Sequence, residues 1–554
     1  MKSPAPNTSL GSAQRPSGNP YLLDNNIVIN IYHLPDDILS DIFSYAAAPK
    51  SLPAQLKIGN APYDVYLDPE EYQSSLAKAF QTARALRLVS RRFNYLATPF
   101  LFQHLILIQH VVETLPDGSL VERQQYPGSV AQQGKSFGKM MKNLHGLLAM
   151  RPDFGHHCKS LCFIYKEDPL SYDSRNETDE DSGEDGESKR PQNYIELPQT
   201  ALLNDIYSLM ANVIDFQVNV TDITEKMPEF SQALASMPKL TRLYIMGDVE
   251  YLPLVRQIAT LPSDSMLETL DISCTTAVEC AQYGYEAQQA IMLQELQSYA
   301  GTGPFTRLLT GFPPGAELLV ALVAWPKRLE RLALQMNSNI TRQSPHSVPL
   351  QPILDTQKQS LTHLCIEGSY GPGLRGFDLR DFPRLEYLAL SDSVFSHFHP
   401  SLDGRVAPEL NARIFAPRLR SFLWVLPRGG TSRRPKIKDF FSDKHEQRLR
   451  YLLKTALHLK EQSKNTGDWH FKRIWVQSSV VAPESLEQEA RRNFEKDLRS
   501  IDAVNDEFGP LGISVRHLPL PKFSTNEDGV DDYGGYTAFG SSDETWLWDI
   551  IQNF

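Results

Sequence analysis

One spacing recurs along this chain and limits what it can fold into: an apolar residue, a second three positions on, and a third two beyond that. It occurs as Leu240, Leu243, Ile245 in M-P-K-L-T-R-L-Y-I, then as Leu267, Leu270, Ile272 and as Leu329, Leu332, Leu334. It returns as Leu361, Leu364, Ile366, as Leu385, Leu388, Leu390 and as Leu419, Phe422, Trp424. The first positions lie 27, 62, 32, 24 and 34 residues apart. The longest gap is about two periods of ~31, so one copy has decayed between Cys274 and Trp325. Helical patterns such as G-A-E-L-L-V-A-L-V-A-W dominate that stretch. Weaker copies stand at Cys158, Leu161, Phe163, at Val213, Phe216, Val218 and at Phe471, Ile474, Val476. The alternation within each triplet is that of a strand, and so small a unit buries its apolar side only against a stacked neighbour. The expected architecture is α/β, with one short strand per unit stacked in chain order. A non-repeating α/β domain with isolated buried strands is the competing reading, because the periods vary and no asparagine recurs.

Ahead of the repeats, L-P-D-D-I-L-S-D-I-F-S-Y (Leu34 to Tyr45) reads as a short helix. Pro35 suits a first helical position, and Asp36 and Asp37 set negative charge at the positive end of the helix dipole. Ile38, Leu39, Ile42 and Phe43 share one face. A second amphipathic helix is expected in A-R-A-L-R-L-V-S-R-R-F-N-Y-L-A-T-P, with Ala85, Leu88, Val89, Phe93 and Leu96 on one face and Pro99 ending it. Two such helices bury too little area to stand alone.

These two stretches, in this order, resemble the F-box of fungal-type members, the helical module that binds a Skp-family adaptor and through it a cullin in a cullin-RING (SCF-type) ubiquitin ligase. Leu34-Pro35 and the Val89-Ser-Arg-Arg-Phe93 box carry the resemblance. It implies that Leu34, Pro35, Ile38, Leu39, Ile42, Phe43, Leu88, Val89, Phe93 and Leu96 divide between adaptor contact and the module's own packing. The chain departs from the family by an insertion at about 46–79, which either lengthens a loop harmlessly or spoils the adaptor surface. F-box modules are commonly fused to leucine-rich repeats, and the triplets fit an irregular repeat solenoid of that kind.

The expected domains are a disordered N-terminus (1–30), the F-box module (31–108), a linker helix with the first repeat (109–170), an acidic disordered loop (171–192), the solenoid (193–525) and an acidic tail (526–554). In the linker, Phe137 to Gly155 reads as a helix and a turn. The loop S-Y-D-S-R-N-E-T-D-E-D-S-G-E-D-G-E-S-K-R-P-Q is nearly free of apolar residues, either a solvated spacer or a phosphorylation site at Ser182 and Ser188. P-R-G-G-T-S-R-R-P-K-I-K (Pro427 to Lys438) is basic, a solvated loop, a nuclear-import signal or a site for an acidic partner. In the tail, W-L-W-D-I-I from Trp546 has the pattern of a short terminal helix that returns to the body.

The function expected from the resemblance is a non-catalytic substrate receptor, the alternative being a scaffold whose helices merely cap the repeats. Residues between the apolar positions would face a target: Arg242, Tyr244, Met246; Thr269, Asp271, Ser273; Arg331, Gln335; His363, Cys365, Glu367; Tyr387, Ser391; and Ser421, Leu423, Val425. Charge reversal at Arg242 and Arg331 is expected to weaken target capture. His363 and Cys365 also read as plain packing residues. No nucleotide-loop, nucleophile-elbow or H-E-x-x-H pattern occurs. A formal charge of −11 argues against a chain-wide nucleic-acid footprint. Five cysteines without a C-x-x-C pair fit neither a disulfide framework nor a zinc site, and His156-His157-Cys158 has no second ligand cluster near it in sequence. No cofactor, metal or membrane partner is expected, and the compartment is a reducing one, cytoplasm or nucleus.

Overall fold

The computed structural model describes residues 34–47, 81–108, 112–114, 120–122, 141–164, 200–219, 230–248, 251–259, 261, 265–272, 275–276, 293–311, 316–336, 350–368, 377–398, 412–426, 441–465, 469–477 and 488–518. The N-terminal 30 residues, most of the 46–79 insertion, the acidic loop, the basic loop and the acidic tail lie outside them.

Twelve strands form one continuous path in chain order, all paired in parallel. They are β1 (His104–Ile108), β2 (Ser160–Ile164), β3 (Asp215–Asn219), β4 (Arg242–Asp248), β5 (Thr269–Ile272) and β6 (Arg307–Gly311). After them come β7 (Arg331–Met336), β8 (His363–Gly368), β9 (Tyr387–Ser391), β10 (Ser421–Val425), β11 (Arg473–Gln477) and β12 (Ser514–Leu518). The short strand Thr275–Thr276 also pairs with β4, and Val112–Thr114 with Leu120–Glu122 forms a separate hairpin.

Register confirms the triplet spacing. The middle positions align strand to strand, Leu161 with Phe216, Leu243, Leu270, then Leu332, Leu364, Leu388, Phe422 and Ile474. The decayed copy is β6, where Phe305, Leu308 and Thr310 stand in the triplet positions and are all buried. A threonine in the third place hid it from an apolar pattern. Two further units extend the row, Leu105 at the start and Val515 at the end. In the last one His517 takes the third position, and burial pushes its imidazole down to about 4.

From β1 to β11 each unit is stitched to the next in the same way. The carbonyl just before a strand accepts two successive N–H groups from the start of the following strand; Thr241 accepts from Glu268 and Thr269, and Glu330 from Thr362 and His363. The triplet side chains point into one core shared with the helices, including Ala316–Ala324, α4 (Asp443–Gln462) and α5 (Gln488–Phe508). A fully buried Leu contributes roughly 1.5–3 kcal/mol, so the aligned rows are the main source of stability. At the last strand Asn505 Oδ1 accepts the Val515 N–H at 2.9 Å and covers part of an otherwise open edge.

The module boundary moves. Residues 104–108 belong to the sheet and not to the helical module, since β1 pairs with β2 along its whole length.

Candidate functional site

The helical module contains α1 (Asp36–Ala47), α2 (81–89) and α3 (Arg91–Phe102). The single helix expected from Ala85 to Pro99 is two. Ser90 adopts an extended backbone and its hydroxyl accepts the Phe93 N–H at 3.1 Å, capping α3. Pro99 does not end α3, which runs on to Phe102. The break separates residues that one continuous helix would align: Phe93 turns inward, while Leu88 and Val89 stay outside.

Leu39, Phe43, Phe93 and Ala97 form the module's own small core, with Leu34, Leu86, Leu96 and Phe100 packed against it. The Phe43 and Phe93 rings meet edge to face, centroids 4.9 Å apart. Leu39, Phe43 and Phe93 are therefore packing residues and leave the adaptor-contact set. Arg92, which the apolar pattern passes over, ties α1 to α3. Its Nη2 donates to the Leu34 carbonyl and its Nε to Asp36 Oδ1, each at 2.6 Å.

What remains outside is apolar. Ile38 and Ile42, one turn apart on α1, are 42% and 41% exposed, and Leu88 and Val89 are 83% and 50%. With Tyr95 they make five of the nine exposed large hydrophobics among the described residues. Scattered single residues need no explanation, but five of the nine in a module of three short helices is a local concentration. Pro35 is exposed beside them.

The face of the sheet away from the helices differs from the open surface expected. Its central row, Leu309, Ala333, Cys365, Ala389, Leu423 and Trp475, forms a second apolar cluster. Tyr244 and Asp271 in the same row are also buried, as is His363 in the row before it. These three are not available to a target as they stand. Burial, with the charges of Arg331 and Arg307, drives the His363 imidazole down to about 2, so it is neutral and stacks on Tyr387 at 4.5 Å. Arg242 is not a probing cation either: its guanidinium holds both oxygens of Asp215 on the preceding strand. Arg331 and Tyr387 stay half-buried, and Arg307 pairs with Glu268 at 2.8 Å. Met246, Gln335 and Glu367 sit on β4, β7 and β8, with side chains outside the described residues.

One side-chain group has hydrolytic composition but a structural role. His445 Nδ1 takes the Ser442 N–H at 3.1 Å as the third residue of a capping box on α4, and its Nε2 lies 3.8 Å from Asp392. Burial would raise the Asp392 carboxyl, but the hydrogen bond and charge of His445, with Arg448 and Trp424, bring it below its ordinary value. An acid depressed in the folded state adds stability above its unfolded pKa and loses it as pH falls through the folded one. Asp392→Asn is expected to cost about 1–2 kcal/mol at pH 7, the difference from the parent closing on acidification. Urea midpoints across pH measure this; a penalty that grows toward acid would refute it.

Cys158 of the His-His-Cys run is buried in the helix-side core, and its thiol is pushed up to about 12. Among the described residues no three His, Cys, Asp or Glu side chains are placed to hold a metal, and no helix is long and apolar enough to cross a membrane. No protein-family model matches the chain, and no curated protein does.

Proposed function

We propose that this chain is the substrate-recognition subunit of an SCF-type ubiquitin ligase, its F-box-like module docking on a Skp-family adaptor and its irregular leucine-rich-repeat solenoid presenting a protein target. The observation that carries the reading is the outward apolar set Ile38, Ile42, Leu88 and Val89 on a module whose Leu39, Phe43 and Phe93 already satisfy its core. Parallel strands in strict chain order and shared register support the solenoid. In this role the chain needs no catalytic residue or cofactor, because it acts by raising the target's effective concentration near the charged enzyme. Cytoplasm and nucleus are the compartments that fit.

A second reading has one observation in its favour. The end of α3 sinks Leu101 and Phe102 into the sheet's main core, so the helices also cap the first strand. On that reading the chain is a scaffold that recruits no ligase.

Co-expression with a Skp-family adaptor separates the two. The parent is expected to form a 1:1 complex, and Ile38→Asp/Leu88→Asp to bind at least about 100-fold more weakly, since each buried apolar side chain contributes roughly 1.5–3 kcal/mol. Both positions are exposed, so the variant should fold as the parent does. Absence of a complex with the folded parent would establish the scaffold reading instead.

A further inference from the structure

The charges of the helical module are sorted by helix. Leu34 to Ala47 holds three aspartates and no Lys or Arg, whereas Gln81 to Phe102 holds four arginines and no Asp or Glu. Arg92 and Asp36 pair with each other. The others face outward: Asp37, Asp41, Arg84 and Arg91 are exposed, and among the described residues none of these four has an ion-pair partner. Asp37 and Asp41, one turn apart on α1, run beside Ile38 and Ile42 on the side away from Leu39 and Phe43. Arg84, Arg87 and Leu88 have the i, i+3, i+4 spacing of one helical face on α2. That face carries over onto α3, because Arg87 Nε donates across the Ser90 break to Asn94 Oδ1 at 2.7 Å and Arg91 opens α3 two residues after Val89. Arg92, bonded to Leu34 and Asp36, draws the start of α1 to the start of α3. The outward apolar set therefore has an anionic border along α1 and a cationic border along α2 and α3.

We propose that the module docks on a protein surface that is acidic where it meets Arg84 and Arg91 and apolar where it receives Leu88 and Val89, and that this charge steers and orients the encounter. The proposal rests on the ligase reading, in which that surface belongs to the adaptor. Borders of opposite sign admit one orientation: turning the module end for end would set Asp37 and Asp41 against the partner's carboxylates. A nucleic-acid backbone fits this surface less well, since it would have to accept four exposed apolar side chains and two aspartates beside the arginines. Exposed ion pairs add little to affinity, so the effect falls mainly on the association rate.

In the full-length protein, the association rate with a Skp-family adaptor is expected to fall at least about tenfold between about 50 mM and about 500 mM salt. Arg84→Gln/Arg91→Gln should slow association several-fold at the lower salt and flatten its salt dependence, with dissociation at the higher salt close to the parent's. Both side chains are exposed, so this variant should fold as the parent does. Arg84→Lys/Arg91→Lys keeps the charge and supplies amines, and carbodiimide coupling of its complex should join positions 84 and 91 to Asp or Glu side chains of the adaptor. A complex that forms at a salt-independent rate, ignores the glutamine substitutions or yields no such crosslinks would overturn the proposal and leave the ligase reading standing. No complex at any salt would overturn both. A random-sequence DNA duplex that binds the parent through the same two arginines and blocks the adaptor would overturn it in favour of a phosphate backbone.

Discussion

Arg242→Met is expected to destabilise the protein by about 3 kcal/mol at pH 7, far more than its place on a supposed recognition face implies. Arg242 and Asp215 are register partners on adjacent strands, 13% and 17% exposed, and the guanidinium meets both carboxylate oxygens. A bidentate pair so withdrawn from water is worth little relative to two apolar residues, but removing one partner strands the other charge. The Asp215 carboxyl already sits above its ordinary range because burial outweighs Arg242. Without the guanidinium it must rise further. An acid whose folded pKa exceeds its unfolded one holds its proton longer in the folded state, so its favourable contribution is complete at low pH and disappears as pH climbs through the folded value. The Arg242→Met penalty should therefore shrink on acidification, and Asp215→Asn added to it should recover part of the loss at pH 7. Urea unfolding at pH 7 and pH 5 tests both. A penalty that ignores pH and the second substitution would show that the pair carries no buried charge worth protecting.

The same pair shows where sequence patterns stop. Spacing alone located nine of the strands and their register, because alternation and a buried face leave a periodic trace in single residues. It missed β1, whose residues were counted with the helical module, and β6 and β12, where Thr310 and His517 occupy the third position. It also placed Arg242, Tyr244, Asp271 and His363 correctly on the second face but took that face to be open. Periodicity says which side of a strand a residue is on, not what lies over that side. The module behaved similarly. Hydrophobic spacing found its helices, yet Ser90 divided the second one, and that single cap decided which apolar residues face inward and which outward. The signal was present as a serine ahead of Arg91-Arg92-Phe93, an N-cap pattern inside an otherwise helical run. Arg92 could not be read this way, since its partners Leu34 and Asp36 lie far back in sequence.

Gln357→Met should cost about 3 kcal/mol, although it keeps the side chain's size and raises its hydrophobicity. Gln357 is buried between two units. Its Nε2 donates to the carbonyls of Val323 and Pro326, and its Oε1 accepts the Leu329 N–H, each at 3.0 Å, with the Ser360 hydroxyl at 2.9 Å. Val323 lies in the last turn of the helix Ala316–Ala324, where carbonyls have no partner within the helix. One amide from the following unit thus caps that helix and anchors the strand beginning after Leu329. Methionine leaves two carbonyls and an N–H buried and unpaired, each costing roughly 1–3 kcal/mol before relaxation. Hydrogen exchange should show the opening centred on β6 to β8, because units in a stacked sheet feel their nearest neighbours first. Gln357→Glu distinguishes lost geometry from lost donors. It keeps the acceptor for Leu329 but sets negative charge against two carbonyls, so it should be worse than Met at pH 7 and regain stability as acid protonates it. Equal behaviour of the two variants at all pH values would mean that Gln357 only fills space.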